Sequence, residues 1–286
     1  MASDNRFAVL IDADNVSVKY IKIILDEISK DGIATYKRIY GDWTNPSLIS
    51  WKSTLLDNSI IPVQQYSYTT GKNSTDSAMI IDAMDILYSG RVEGFCLVSS
   101  DSDFTRLAAR LRESGMTVIG MGESKTPNSF IAACNKFKYL DILSAADEAE
   151  AEEAAPKAEP MKKPAAQPKK TAQKAAAKKP KEEPKAEKEP KPAEPKKQQE
   201  KAIEEPRTSL RTIRRALRTI VRENSDEDNW IMVSQVGNLL DKRYTDFDVR
   251  NFGFSKLTPF LESLDMFEIK DMKKDSSSPQ KYVRLK

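Results

Sequence analysis

The chain has 286 residues, a formal charge of +3, no histidine and two cysteines, Cys96 and Cys134. Without histidine there is no Ser-His-Asp triad, no histidine acid–base pair and no histidine-ligated zinc, and two thiols alone cannot close a tetrahedral zinc site. No apolar run approaches the roughly 18 residues a membrane helix needs, and no basic-then-apolar leader opens the chain, so the expectation is a soluble cytoplasmic protein with no membrane contact.

In chain order, Phe7–Ile11 is an unbroken apolar run, read as a strand, and Asp12 follows it. Val16–Lys30 has apolar residues at Ile21, Ile24, Leu25 and Ile28, the spacing of a helix, and Gly32 ends it. Ile33–Tyr40 reads as a strand. Asn45-Pro46 is a cap followed by a first-turn proline, opening a helix to about Asn58. Ile60–Gln65 is strand-like, Gly71–Ser74 a loop, and Thr75–Ser89 a helix with Met79, Ile80, Ala83, Met84 and Leu87 on one face. Phe95–Ser99 is a strand, Asp103–Ser114 a helix and Met116–Met121 a strand. A short helix follows Pro127, and a last strand sits near Tyr139. Strands alternating with helices, the strands apolar throughout, predict an α/β fold: a parallel sheet covered on both faces.

Composition changes at Ala145. From there to Pro206 there is no aromatic residue and no glycine, and ten of the fifteen prolines fall in this stretch. Such a segment cannot bury enough apolar surface to offset its ordering entropy, so it reads as a disordered Lys/Ala/Pro/Glu-rich linker joining residues 1–144 to 207–286. Beyond it, Thr208–Arg222 is amphipathic. Leu210, Ile213, Leu217 and Ile220 share one face, and Arg207, Arg211, Arg214, Arg218 and Arg222 line another. Met232–Leu240 reads as a helix, and Phe247–Leu257 leads into a second one ending near Leu264. Phe267–Ile269 and Tyr282–Leu285 pair as a wing. The N-terminal part carries a charge of −2, the linker +1 and the C-terminal part +4, so the basic excess lies where nucleic acid would be met.

In open parallel sheets, sites lie just beyond the C-terminal ends of the strands. That rule selects Asp12 and Asp14 after the first strand, and Asp101 and Asp103 after the strand ending near Ser99. Asp76, at the start of a helix, can face the same crevice. Several carboxylates gathered without thiol or imidazole form a hard oxygen site suited to Mg²⁺ or Mn²⁺, which would also relieve their mutual repulsion. Each acid also has a bland alternative: Asp103 as a helix cap, Asp76 as a partner of a helix dipole, and Asp14 and Asp82 as structural or supporting groups.

Three segments resemble the motifs of the NYN domain family of PIN-like ribonucleases. They are Leu10-Ile11-Asp12-Ala13-Asp14-Asn15, Gly71-Lys72 followed by Asp76, and Ser99-Ser100-Asp101-Ser102-Asp103-Phe104; Tyr40-Gly41-Asp42 also fits. The resemblance covers about residues 5–143. It implies a Rossmann-like fold, bound Mg²⁺ or Mn²⁺, and metal-dependent (endo)ribonuclease activity. By position it makes Asp12, Asp76, Asp101 and Asp103 the metal-binding and catalytic acids. Asn15, Asp14, Asp82, Ser99 and Ser100 are supporting groups, and Lys72 is a phosphate contact.

The C-terminal part resembles the LOTUS (OST-HTH) winged-helix RNA-binding domain, mainly through Phe252-Gly253-Phe254-Ser255-Lys256-Leu257. Phe247, Phe252 and Phe254 read as core, while Arg211, Arg214, Arg218, Arg250, Lys256, Lys273 and Lys274 are candidate RNA contacts. The linker would then let one domain raise the RNA concentration at the other. The expected partner is RNA, single-stranded or structured, with a homodimer left open. Two other readings stand beside this one. The first is a haloacid-dehalogenase-like phosphatase with Asp12 as nucleophile and Asp14 as acid. The second is a non-catalytic RNA-binding adaptor.

Overall fold

The structure, a computed structural model, describes residues 5–66, 74–154, 208–272 and 279–286. The linker expected over 145–206 lies mostly outside these residues, as do Lys72, Lys273 and Lys274. In the N-terminal part, helices and strands alternate. They are β1 (Arg6–Asp12), α1 (Ile21–Asp31), β2 (Ile33–Gly41), α2 (Trp51–Asp57), β3 (Ile61–Gln64), α3 (Ser74–Ser89) and β4 (Gly94–Val98), then α4 (Thr105–Glu113), β5 (Thr117–Gly122), α5 (Asn128–Ala133), β6 (Lys136–Tyr139) and α6 (Leu140–Ala154).

The six strands form one sheet in the order β3-β2-β1-β4-β5-β6, with every neighbour parallel. The expected Rossmann-like sheet is therefore present. Its two faces are set by the two-residue period of the strands. Phe7, Val9 and Ile11 of β1 point into a core built with Ile24 and Ile28 of α1, Trp51 and Leu55 of α2, and Leu140 and Leu143 of α6. Ala8 and Leu10 point the other way, onto Met79 and Ala83 of α3, Leu107 and Leu111 of α4, and Phe130 of α5. With helices on both sides, residues 7–11 of β1 are all buried, which explains their continuous apolar run.

Two departures from expectation have local causes. The first helix begins at Ile21, not near Val16, because Asp12 accepts the Asp14 N–H (3.0 Å) and so folds the segment into a turn; a 3-10 turn at Val18–Tyr20 comes before the helix. The last helix of the N-terminal part also runs past Ser144. Helix α6 extends through Ala154, into the stretch read as linker. Alanine and glutamate are strong helix formers, so a composition that cannot build a core can still prolong a helix already anchored by Leu140 and Leu143.

The C-terminal part contains α7 (Leu210–Asn224), β7 (Ile231–Met232), α8 (Val233–Arg243), α9 (Leu257–Ser263), β8 (Phe267–Met272) and β9 (Gln280–Leu285). The strands form a small antiparallel sheet, β7-β9-β8. Three helices and this sheet make the expected winged-helix arrangement; β7 is the strand the sequence reading missed, two residues being too short for a periodic signal. Before α9, a 3-10 turn at Val249–Phe252 is capped by the Asp248 side chain. It ends on Gly253, whose φ of 79° is the left-handed conformation that favours glycine. That turn folds Phe247, Phe252 and Phe254 around the buried ring of Phe260, at centroid distances of 6.2, 5.2 and 5.6 Å. These rings are core, as expected. Among the described residues no helix is long and apolar enough to cross a membrane.

Because Phe260 is the hub of this cluster, Phe260→Ala is expected to cost about 3–5 kcal/mol, a large share of the stability of so small a domain. Urea unfolding followed by amide exchange in α7 measures it. A loss below about 1 kcal/mol would show that the aromatic cluster is not the C-terminal core.

Candidate metal centre

The chain leaves β1 for β2 and β3 on one side of the sheet and returns to β4 on the other. In a parallel sheet this reversal opens a crevice beyond the C-terminal ends of the two central strands. Strand β1 ends on Asp12, and β4 is followed at once by Ser99, Ser100 and Asp101. Helix α3 packs Met79 and Ala83 against the sheet and carries Asp76 in its first turn. Three separate elements thus bring acids to one place.

Asp76, Asp101 and Asp103 form the tightest group. One carboxylate oxygen from each lies within 4.8 Å of the others. Asp101 sits there because it caps the 3-10 turn Ser102–Phe104, its Oδ1 accepting the Asp103 N–H at 2.9 Å. The cap is thus Asp101, and Asp103 is carried on the capped turn, with its side chain exposed. Asp76 is only 9% exposed. Burial, reinforced by the charges of Asp12, Asp101, Asp103 and Asp14, pushes its carboxyl up to about 6. A cluster of oxygen donors this crowded, with one member driven toward protonation, fits a divalent cation with oxygen ligands.

Asp12 stands beside this trio, not within it. It is fully buried, and its oxygens accept hydrogen bonds from Ser99 Oγ (2.7 Å), Asn15 Nδ2 (2.8 Å) and the Asp14 N–H (3.0 Å). Burial raises its carboxyl, and the bonds from Asn15, Ser99 and Asp14 partly offset the rise. Ser99 links the two halves of the site, since its Oγ also accepts the Asp101 N–H at 3.1 Å. Ser100 acts further back. Its Oγ accepts the Glu123 N–H at 2.9 Å and ties the end of β4 to the end of β5. Close packing explains Gly122 at that junction: a Cβ there would lie 2.6 Å from the Ser99 carbonyl oxygen.

The remaining predicted residues divide clearly. Asp14 is exposed and contributes its backbone N–H to Asp12. Asp82, lower on α3, is held by Arg38 and Tyr40 of β2 and clamps the helix to the sheet. On α7, Arg211, Arg214 and Arg218 are all exposed, and Arg214 also donates to the Leu264 carbonyl (2.9 Å) at the end of α9. Lys256 is exposed at the start of α9. Arg250 is engaged by Glu27 and Asp248. The sequence reading did not single out Glu123, which follows β5 at the same rim and meets Lys125 and the Tyr20 hydroxyl. The strand-end rule that selected Asp12 and Asp101 would have found it.

Comparison with known proteins agrees with this geometry. Residues 6–141 match the NYN domain family, so the first folded part is an NYN domain. Residues 207–278 match the OST-HTH/LOTUS domain, and the chain is therefore an NYN-domain protein with a C-terminal OST-HTH/LOTUS domain. No curated protein matches the chain. Among solved structures, a protein of unknown function from Vibrio parahaemolyticus is similar at 19% identity, covering 48% of this chain and 94% of its own, with a TM-score of 0.40. A LacI-family transcriptional regulator from Brachyspira murdochii is similar at 14% identity over 53% of this chain and 38% of its own, with a TM-score of 0.25.

The raised Asp76 carboxyl has a measurable consequence. Between the ordinary carboxylate range near 4 and its folded value of about 6, the folded metal-free chain binds the extra proton, so its stability falls as pH rises through that window. Asp76→Asn is expected to melt higher than wild type in a chelator at about pH 7, with the difference shrinking toward about pH 4. Thermal unfolding across that range checks it; a difference independent of pH would contradict the assigned repulsion.

Proposed function

We propose that this protein is a metal-dependent ribonuclease, cutting RNA phosphodiesters at the Asp76–Asp101–Asp103 centre, with the OST-HTH/LOTUS domain as its RNA-binding module. The observation that carries this reading is the trio of carboxylate oxygens within 4.8 Å of one another at the reversal point of the sheet. A divalent ion bound there would neutralise charge at the phosphorus centre and make a water acidic enough to act as nucleophile. The chain's own part is to hold the acids. The capped turn fixes Asp101 and Asp103, and the first turn of α3 brings Asp76 to them. Ser99 and Asn15 keep the Asp12 carboxylate oriented behind them. The exposed Asp103 leaves the centre open to solvent, which suits internal cleavage of a chain that need not present an end.

The phosphatase reading needs Asp12 to attack a phosphate. Its full burial and its occupied oxygens speak against that role. RNA as the substrate is supported by the appended OST-HTH/LOTUS domain and by the exposed Arg211 and Arg218 on α7.

Asp101→Asn and Asp12→Asn are each expected to lower Mn²⁺-dependent cleavage of single-stranded RNA by roughly a hundred-fold or more, and a chelator to abolish it. Double-stranded RNA and single-stranded DNA serve as comparison substrates. If both variants cut RNA at the wild-type rate, the catalytic assignment is wrong.

A further inference from the structure

The two folded domains belong to one compact unit, and among the described residues ion pairs and hydrogen bonds cross between them. Strand β6 is an outer strand of the six-stranded sheet, so one row of its backbone groups lacks a strand partner. The C-terminal domain covers it: the Phe137 N–H donates to the Thr245 carbonyl at 2.7 Å, and the Tyr139 hydroxyl donates to Asp246 Oδ2 at 3.3 Å. Next to this edge, the Arg250 guanidinium makes a two-pronged pair with Glu27 of α1, at 2.6 and 3.0 Å, and also holds Asp248 at 2.6 Å.

Glu27 is the unusual member. A glutamate on a surface helix is ordinarily solvated, yet this side chain is 4% exposed. Within its own domain it already meets Lys138 (3.0 Å) and Lys30 (2.5 Å), and Arg250 closes it off from the far side. Burial alone would raise the Glu27 carboxyl; hydrogen bonds from Arg250 and Lys30 and the charge of Lys138 reverse this and hold it well below the usual carboxylate range. Among the described residues, none of the three apolar cores spans both domains. The joint therefore depends on ion pairing and on the few hydrogen bonds along β6.

We propose that the OST-HTH/LOTUS domain docks on the open edge of the NYN sheet through a Glu27–Arg250 lock, so that the two act as one body and Arg250 is a docking residue and not an RNA ligand. The long covalent connection makes a weak joint sufficient. A connection of about fifty residues keeps the domains at an effective concentration of the order of millimolar, so even a low-affinity surface stays occupied. Removing either partner takes away the two-pronged pair that crosses the joint, while Glu27 keeps Lys30 and Lys138 and Arg250 keeps Asp248, so each domain stays internally paired. The charge basis also makes it sensitive to salt. This inference does not depend on the ribonuclease reading, since its test involves neither metal nor cleavage.

The test uses the full chain, with amide exchange at Phe137 and the radius of gyration from solution scattering as readouts. Wild type at low salt is expected to be compact, with the Phe137 amide protected. Glu27→Gln and Arg250→Gln should each expose that amide at least roughly ten-fold faster and enlarge the particle, while amides in the centre of β4 and α7 stay protected. The double variant should open no further than either single one, because both remove the same pair. Raising NaCl from about 0.05 M to about 1 M should open wild type in the same way, which does not require any variant to fold. An expanded wild type at low salt, or Phe137 exchange unaltered by salt and by both variants, would overturn the lock.

Discussion

Carboxylates repel one another, and holding three of them within 4.8 Å needs a scaffold stiffer than the repulsion. The scaffold here is the pair of central strands. Residues 7–11 of β1 and 94–98 of β4 are buried on both faces, and they pair in register from Phe7–Gly94 to Ile11–Val98. The chain ends just past that register are thus fixed by strands buried on both faces. The acids stay on short devices at those ends: a capped 3-10 turn, one turn of helix, and the bridging hydroxyl of Ser99 between Asp12 and the Asp101 backbone. Uncompensated charge at Asp76 is the cost of the arrangement, and a cation is its natural relief.

Charge is handled in the opposite way at the far edge of the sheet. There Glu27 is as deeply buried as any acid of the metal centre, but it is surrounded by Lys30, Lys138 and Arg250 and is held ionised. A buried carboxylate starved of cations is ready for a ligand, and one saturated with cations is a joint. The same residue type serves both roles on one domain, and only its neighbours distinguish them.

Much of the protein was legible before any coordinates. The apolar runs from Phe7 and from Phe95 read as doubly covered strands because burial on both faces leaves no polar alternation. Asp12 and Asp101 stand out in the sequence because sites in parallel sheets lie at strand ends, and Asp76 because it follows the second motif segment. Phe247, Phe252 and Phe254 read as core in the sequence, and all three pack around Phe260. Composition did not show that α6 continues into the Ala/Glu stretch, where helicity is prolonged from an anchored turn.

By itself, then, the sequence determined the α/β alternation, the hard-oxygen chemistry left by the absence of histidine, and the presence of two domains. These rest on residue type and spacing, which are local properties of the chain. Only the tertiary structure decided which acids meet. It placed Asp12 behind the trio, tied Asp82 to Arg38 and Tyr40, and set Arg250 against Glu27. Those assignments depend on pairs between 42 and 223 residues apart in sequence, beyond the reach of local periodicity.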